Sequence, residues 1–245
     1  MFRYLLIERE RQVATVTLNR PASRHALSAG LQAEIVAAFE ELAKDEAVFA
    51  IVLTGSGDRA FCAGLDIKEL SEGVDLIGSG TDPIAAITRC PKPTIAAVNG
   101  AAITGGLELA LACDIILSAD NAIFADTHAK MGVIPGWGLS HRLARRVGAG
   151  RAMEMSLSAR AIDAATALQW GLVNHLFAKD RLLEEAKALA ADIARWDADF
   201  IRQYKSLIQE CIGRTDTEAD RIETAAADAH NAKLDPARVG QRGTN

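Results

Sequence analysis

The chain has few cysteines, few aromatic rings and no long apolar run, and each shortage excludes something. Its four cysteines, Cys62, Cys90, Cys113 and Cys211, show no CxxC spacing, which argues against a zinc site and a disulfide framework and fits a reducing, cytoplasmic setting. No apolar stretch reaches the roughly 18 to 20 residues that a spanning helix needs, so a membrane protein is not expected. The run Tyr4 to Ile7 is too short for an export-signal core and leads into alternating Val13, Thr15 and Thr17, which reads as a strand. Basic blocks are missing too. Lysine and arginine number 27 against 32 acidic residues, and a net charge of -5 is the wrong sign for a phosphate-backbone footprint. Nucleic acid is therefore not an expected partner. Aromatic content is 5%, but the 245 residues are 49% hydrophobic and 24% charged, the composition of a globular chain able to bury one sizeable core.

No internal repeat or low-complexity linker divides the chain. Residues 2 to 20 read as two strands joined through a charged turn around Glu8 to Arg11, with Ala14, Val16 and Leu18 on the apolar face of the second. Leu31, Ile35, Ala38, Phe39 and Leu42 then recur at helical spacing between Ser28, a suitable N-cap, and Lys44. Strands at 49 to 53, 94 to 98 and 114 to 118 alternate with helices near 66 to 72, 82 to 89 and 106 to 113. Such alternation predicts an α/β architecture with mainly parallel pairing. From about Leu139 the strand signal fades and helical patterns dominate, through Leu182 to Ala194 and Phe200 to Ile212. The expected division is a core domain over residues 1–195 and a C-terminal helical region over 196–245, whose amphipathic, alanine-rich pattern suits packing on the core or on a neighbouring subunit.

Three glycine-bearing turns carry the chemical signals. Gly55-Ser56-Gly57-Asp58-Arg59-Ala60 satisfies a dinucleotide-binding pattern after a strand, yet Phe61-Cys62-Ala63-Gly64 interposes a second turn where that pattern requires a helix to open. The turns Phe61 to Lys68 and Asn99 to Gly106 each set small residues before a helix. Backbone N–H groups there have no helical partners. Either turn alone reads as strand-to-helix packing eased by glycine. Together they offer two backbone donors, the arrangement that holds a developing oxyanion. Glu108 lies one helical turn beyond Gly105, with Leu111 and Ala112 at helical spacing, so its carboxylate belongs on an apolar face where burial raises its pKa toward proton-transfer use. Its alternative is a structural glutamate near a helix start.

These residues carry a resemblance. Phe61-Cys62-Ala63-Gly64-Leu65-Asp66, Pro93 to Gly100 with Gly105-Gly106, and Gly132-Val133-Ile134-Pro135-Gly136, with the opening Asn19-Arg20-Pro21 to Ala26-Leu27, resemble the enoyl-CoA hydratase/isomerase family, the crotonases. The resemblance implies a spiral of ββα units with a helical C-terminal region, trimers or dimers of trimers, and an acyl-CoA substrate whose coenzyme A moiety is the only one involved, with neither cofactor nor metal. By position, Leu65 and Gly105 match the two oxyanion-hole amides, Leu65, Asp66, Ile67 and Lys68 line the coenzyme A channel, and Glu108 matches the first hydratase glutamate. His128 stands where the second glutamate is expected. An imidazole with an ordinary pKa near 6.5 can exchange a proton at neutral pH, or it can serve structure alone. His25, His141, His175 and His230 are expected to be solvent or packing residues, and Trp137 either narrows the acyl pocket or stacks in the core. A segment between 72 and 90, with Gly73, Gly78 and Gly80, is expected to border the substrate.

The implied reaction is hydration of a 2-enoyl-CoA to the 3-hydroxyacyl-CoA, in fatty acid and acyl-CoA metabolism. The same enolate hole serves isomerisation, hydrolysis or decarboxylation of another acyl-CoA. A non-catalytic coenzyme A-binding homologue is the alternative of a different class.

Overall fold

A largely exposed strand and a largely buried one form a hairpin at the start of the chain. In a computed structural model, which describes residues 2–77 and 80–234, β1 (Leu5–Glu10) pairs antiparallel with β2 (Val13–Leu18). The turn falls later than the charges imply. Glu8 to Glu10 belong to β1, and Arg11 makes the turn with a left-handed φ of 52°. An edge strand with one wet face accommodates those charges without breaking its pairing. Ala14, Val16 and Leu18 are fully buried, and Ser28 caps α1 (Ala29–Lys44) by accepting from the Leu31 N–H.

Three successive ββα units follow. They comprise β3 (Ala50–Gly55), β4 (Ala60–Cys62) and α2 (Ile67–Ser71), with α3 (Pro83–Arg89) appended; β5 (Thr94–Val98), β6 (Ala101–Ile103) and α4 (Gly105–Ala112); and β7 (Ile115–Ala119), β8 (Ile123–Ala125) and α5 (His128–Met131). Beyond them lie α6 (Leu139–Val147), α7 (Ala149–Ser158), β9 (Ile162–Asp163), α8 (Ala164–Trp170), β10 (His175–Phe177), α9 (Leu182–Ala194), α10 (Ala198–Cys211) and α11 (Asp216–Asn231). Each ββα unit gives its first strand to a six-stranded sheet, ordered β1-β2-β3-β5-β7-β10, and its second to a four-stranded sheet, ordered β4-β6-β8-β9. Pairing is parallel from β2 to β10 and from β4 to β8. This is the expected spiral of ββα units.

The strand pattern alone misses the second sheet, because a three-residue strand is too short to show periodicity. The final third is likewise less purely helical than expected, since β9 and β10 complete the two sheets. Between β3 and β4 no helix opens after Gly55, so the dinucleotide pattern has no structural counterpart. On one face of the large sheet, α1, α3 and α4 bury the main core. On the other, Leu182, Ala186, Ala190 and Ala194 of α9 pack on Val52, Ile95, Ala97 and Leu117. The helices α10 and α11 bury no residue. Gly78 and residues 235–245 of the expected C-terminal region lie outside the described residues. Among the described residues no helix is long and apolar enough to cross a membrane.

Candidate active site

Parallel pairing of β4 with β6, Cys62 opposite Ala102, releases two chain segments side by side. From one comes Ala63-Gly64-Leu65, and from the other Thr104-Gly105. The approach is close enough to demand glycine twice. A Cβ on Gly64, whose φ is 91°, would lie 2.9 Å from the Ile103 carbonyl oxygen and 3.4 Å from the Gly105 nitrogen. A Cβ on Gly106 would stand 2.0 Å from the Cys62 carbonyl oxygen, inside any tolerable contact.

The two expected donors differ in how they are kept free. Leu65 forms a parallel bridge with Leu27, in which Leu27 N–H donates to the Gly64 oxygen at 2.7 Å and Asp66 N–H donates to the Leu27 oxygen at 3.2 Å. The bridge uses the peptides flanking Leu65, so the N–H of Leu65 itself points to the opposite side. Gly105 is the first residue of α4, where an N–H has no intrahelical acceptor. Its preceding residue, Thr104, gives α4 no side-chain cap, because Thr104 Oγ1 shares a 2.5 Å hydrogen bond with Thr127 Oγ1 and accepts from the Thr127 N–H. Thr104 also holds φ 51° and ψ -107°, a conformation that costs a branched residue on the order of 1 to 3 kcal/mol and that clusters at functional sites. Among the described residues, neither the Leu65 nor the Gly105 N–H donates to a protein acceptor.

The turn pattern predicts both donors at helix starts, and only Gly105 is at one. The helix α2 begins at Ile67, and its first turn is closed by Asp66, whose carboxylate accepts from the N–H groups of Lys68 and Glu69 at 3.2 and 3.4 Å. The same carboxylate pairs with Arg20 at 3.0 Å. Asp66 is thus a buried cap, tied by Arg20 to the opening segment that also supplies Leu27. Lys68 extends into solvent beside Glu72. Of the residues expected to line the substrate channel, Leu65, Ile67 and Gly105 border a cavity, while Asp66 and Lys68 do not.

That cavity is walled by apolar groups, among them Leu70, Ile77, Val133, Ile134 and Trp137, with Glu108 and His128 as its titratable residues. Trp137 both lines this cavity and packs against the main core. Glu108 is 2% exposed, and its Oε1 is buried without a hydrogen-bond partner among the described residues. Burial is the main force on its carboxyl, pushing the pKa up to about 7 against the opposing influence of His128 and the backbone amides of Leu139 and Trp137; Asp126 adds to the rise. His128 opens α5 and borders the same cavity. Its ring Nδ1 lies 2.7 Å from Asp126 Oδ1, in hydrogen-bond contact, and its backbone N–H donates to the same oxygen at 3.0 Å.

Asp126 joins the site without belonging to any of the motifs that mark the other residues. Its signal was present, because an Asp two residues before His can accept from the His N–H in an Asx turn and meet the ring as well. The other histidines stand apart. His25 is a buried packing residue between Arg20 N–H and the Ser56 carbonyl, His230 stacks near Phe200, and His141 and His175 are exposed. Among the described residues no group of three or more His, Cys, Asp or Glu side chains is placed to hold a metal ion.

Comparison with known proteins identifies the family. The family model for enoyl-CoA hydratase/isomerase matches residues 8–236. A probable enoyl-CoA hydratase of Rhizobium meliloti is 42% identical over 223 residues, covering 89% of this chain and 86% of its own. A probable peroxisomal enoyl-CoA hydratase of Arabidopsis thaliana is 39% identical over 201 residues, covering 81% of this chain and 75% of its own. Among solved structures, the enoyl-CoA hydratase of Mycobacterium tuberculosis H37Rv superposes with a TM-score of 0.79 at 41% identity, covering 94% of this chain and 100% of that one. The two turns, the ββα spiral and these likenesses lead to one conclusion: the chain belongs to the enoyl-CoA hydratase/isomerase family.

Proposed function

We propose that the protein hydrates 2-enoyl-CoA thioesters to 3-hydroxyacyl-CoA, as part of acyl-CoA metabolism. The observation that carries this reading is the pairing of two uncommitted amides, Leu65 and Gly105, with a buried, elevated-pKa Glu108 in one apolar cavity. Water adds to C3, the C2=C3 electron pair moves toward the carbonyl, and negative charge collects on the thioester oxygen between the two N–H groups. A donor of this kind contributes about 3 to 4 kcal/mol to such a transition state. Glu108 and His128 then divide the two proton transfers, one to Cα and one from the water. Water and the thioester balance the reaction, so coenzyme A enters only as part of the substrate.

Relatives named as hydratases support the substrate class. Mixing the protein with crotonyl-CoA tests the reading. The conjugated-enoyl absorbance falls if it is a hydratase. Unchanged absorbance alongside measurable binding assigns the site to another enolate reaction or to binding alone.

The same reading extends to assembly. Phe200, Tyr204 and Ile208 recur every fourth position along α10, continued by Trp196 before the helix and Ile212 at its C-cap, and all five expose apolar surface, which supports association of copies into a trimer or a dimer of trimers. Light scattering at the mass of a monomer would remove this part. Four free thiols, three of them buried, fit a reducing cytoplasmic location.

A further inference from the structure

The contact between Asp126 and His128 is built from both the backbone and the ring. Asp126 is 2% exposed, and its Oδ1 accepts from His128 N–H at 3.0 Å and lies 2.7 Å from Nδ1. The short turn that starts α5 therefore also fixes the plane of the imidazole. A carboxylate that accepts from Nδ1 requires a proton on that nitrogen, so in the neutral ring the lone pair sits on Nε2. Among the described residues Nε2 has no hydrogen-bond partner, and the ring borders the cavity it shares with Glu108.

The charged groups around the ring are few. Glu108 faces it from α4, with Arg142 of α6 acting in turn on Glu108, and Asp126 holds it from behind. Two carboxylates at these positions would repel each other when both ionised. An imidazolium facing a carboxylate attracts, so the product of proton transfer is an opposite-charge pair in a site of low polarity.

We infer that Asp126 is a positioning residue that locks His128 in the Nδ1–H tautomer and thereby makes Nε2 the acceptor of the water proton, leaving Glu108 to supply the proton to Cα. The inference rests on the hydratase reading for its chemistry, though not for the tautomer. In the forward step an O–H bond of water breaks as the Nε2–H bond forms, and the freed oxygen pair makes the C3–O bond. The C2=C3 pair becomes the enolate, whose charge rests on the thioester oxygen. Collapse of the enolate takes the proton from the Glu108 carboxyl and forms the Cα–H bond. The site is left as imidazolium and carboxylate, and proton exchange with solvent restores it.

Nitrogen-15 histidine NMR on the intact protein, with His128 assigned by its disappearance in His128→Gln, tests the lock without reference to turnover. A protonated Nδ1 and an unprotonated Nε2 in the wild type, lost or mixed in Asp126→Asn, support it; a neutral ring protonated on Nε2 in the wild type overturns it. Kinetics with crotonyl-CoA supply the second arm. In a wild-type background Asp126→Asn should lower kcat by about 10²- to 10⁴-fold with KM unchanged, because an amide can reverse the tautomer. In a His128→Gln background the same change should cost nothing further. An equal loss in both backgrounds would make Asp126 structural only and overturn the inference. Should Asp126→Asn fail to fold by circular dichroism, the wild-type spectrum decides alone. Should the wild type show the Nδ1–H tautomer but no hydration, the hydratase reading fails and the lock stands.

Discussion

The helices α4 and α11 are built on opposite principles. Every residue of α4, from Gly105 to Ala112, is buried, and its N-terminus has no side-chain cap. No residue of α11 is buried, and its N-terminus carries a full capping box, with Thr215 and Glu218 each satisfying the other's backbone N–H. The first helix is held by what surrounds it, and the second by its own local chemistry. A cap consumes some of the free amides of a helix start. The helix α4, held by burial, has no cap and leaves the Gly105 amide uncommitted beside the Leu65 N–H. The same contrast applies within the site, where α2 spends its open amides on Asp66 and contributes through the peptide before its cap.

Breaking the contrast at its chemical end should have the largest effect. Replacing Glu108 with Gln keeps shape and removes the titrating group, and crotonyl-CoA turnover should fall about 10³-fold while coenzyme A affinity measured by calorimetry stays near wild type. A loss of affinity equal to the loss of rate would instead make Glu108 a binding residue.

Next comes packing. Gly106→Ala sets a methyl against the Cys62 carbonyl, backbone against which nothing flexible can yield. Urea unfolding should register a destabilisation of about 3 kcal/mol; a change below 1 kcal/mol, as at an ordinary surface position, would mean that α4 does not need its close approach.

The burial of Glu108 has a pH signature. Its carboxyl moves from an ordinary 4.5 up to about 7 on folding, so the folded state holds a proton that the unfolded chain has released. Its stabilising contribution is therefore full below about pH 4.5 and is lost as pH rises through about 7. Glu108→Gln should be more stable than wild type at pH 8, by up to about 3 kcal/mol, with the two converging near pH 4. Parallel stability curves across that range would refute the burial argument.

The smallest change is at the other helix. Thr215→Ala removes one half of the capping box and should cost about 1 kcal/mol locally. Hydrogen exchange should quicken in the first turn of α11 and leave α4 and the hydration rate untouched. Slower turnover would couple the C-terminal helices to the site.

The same distinction explains how far the sequence could be read. Long periodic segments such as Leu31 to Leu42, and the apolar runs that became β3, β5 and β7, announce themselves because burial selects one face or a continuous run. The second sheet did not, since Ala60–Cys62, Ala101–Ile103 and Ile123–Ala125 are strands only because each is paired by its neighbour. Gly64, Gly105 and Glu108 were legible as turn and turn-plus-carboxylate. The bridge from Leu27 to Leu65, the tie from Arg20 to Asp66 and the strain at Thr104 were not, because each depends on residues far apart in the chain. Asp126 lay between these cases: its spacing to His128 is local, but its partner, the imidazole ring, is identified only by where the side chains point.

The most direct test is a crystal structure of the Glu108→Gln variant with crotonyl-CoA bound, the substitution serving to preserve the substrate. The account predicts a thioester oxygen about 2.7 to 3.1 Å from the nitrogens of both Leu65 and Gly105. An oxygen held by other groups, or beyond hydrogen-bond reach of either nitrogen, would contradict it.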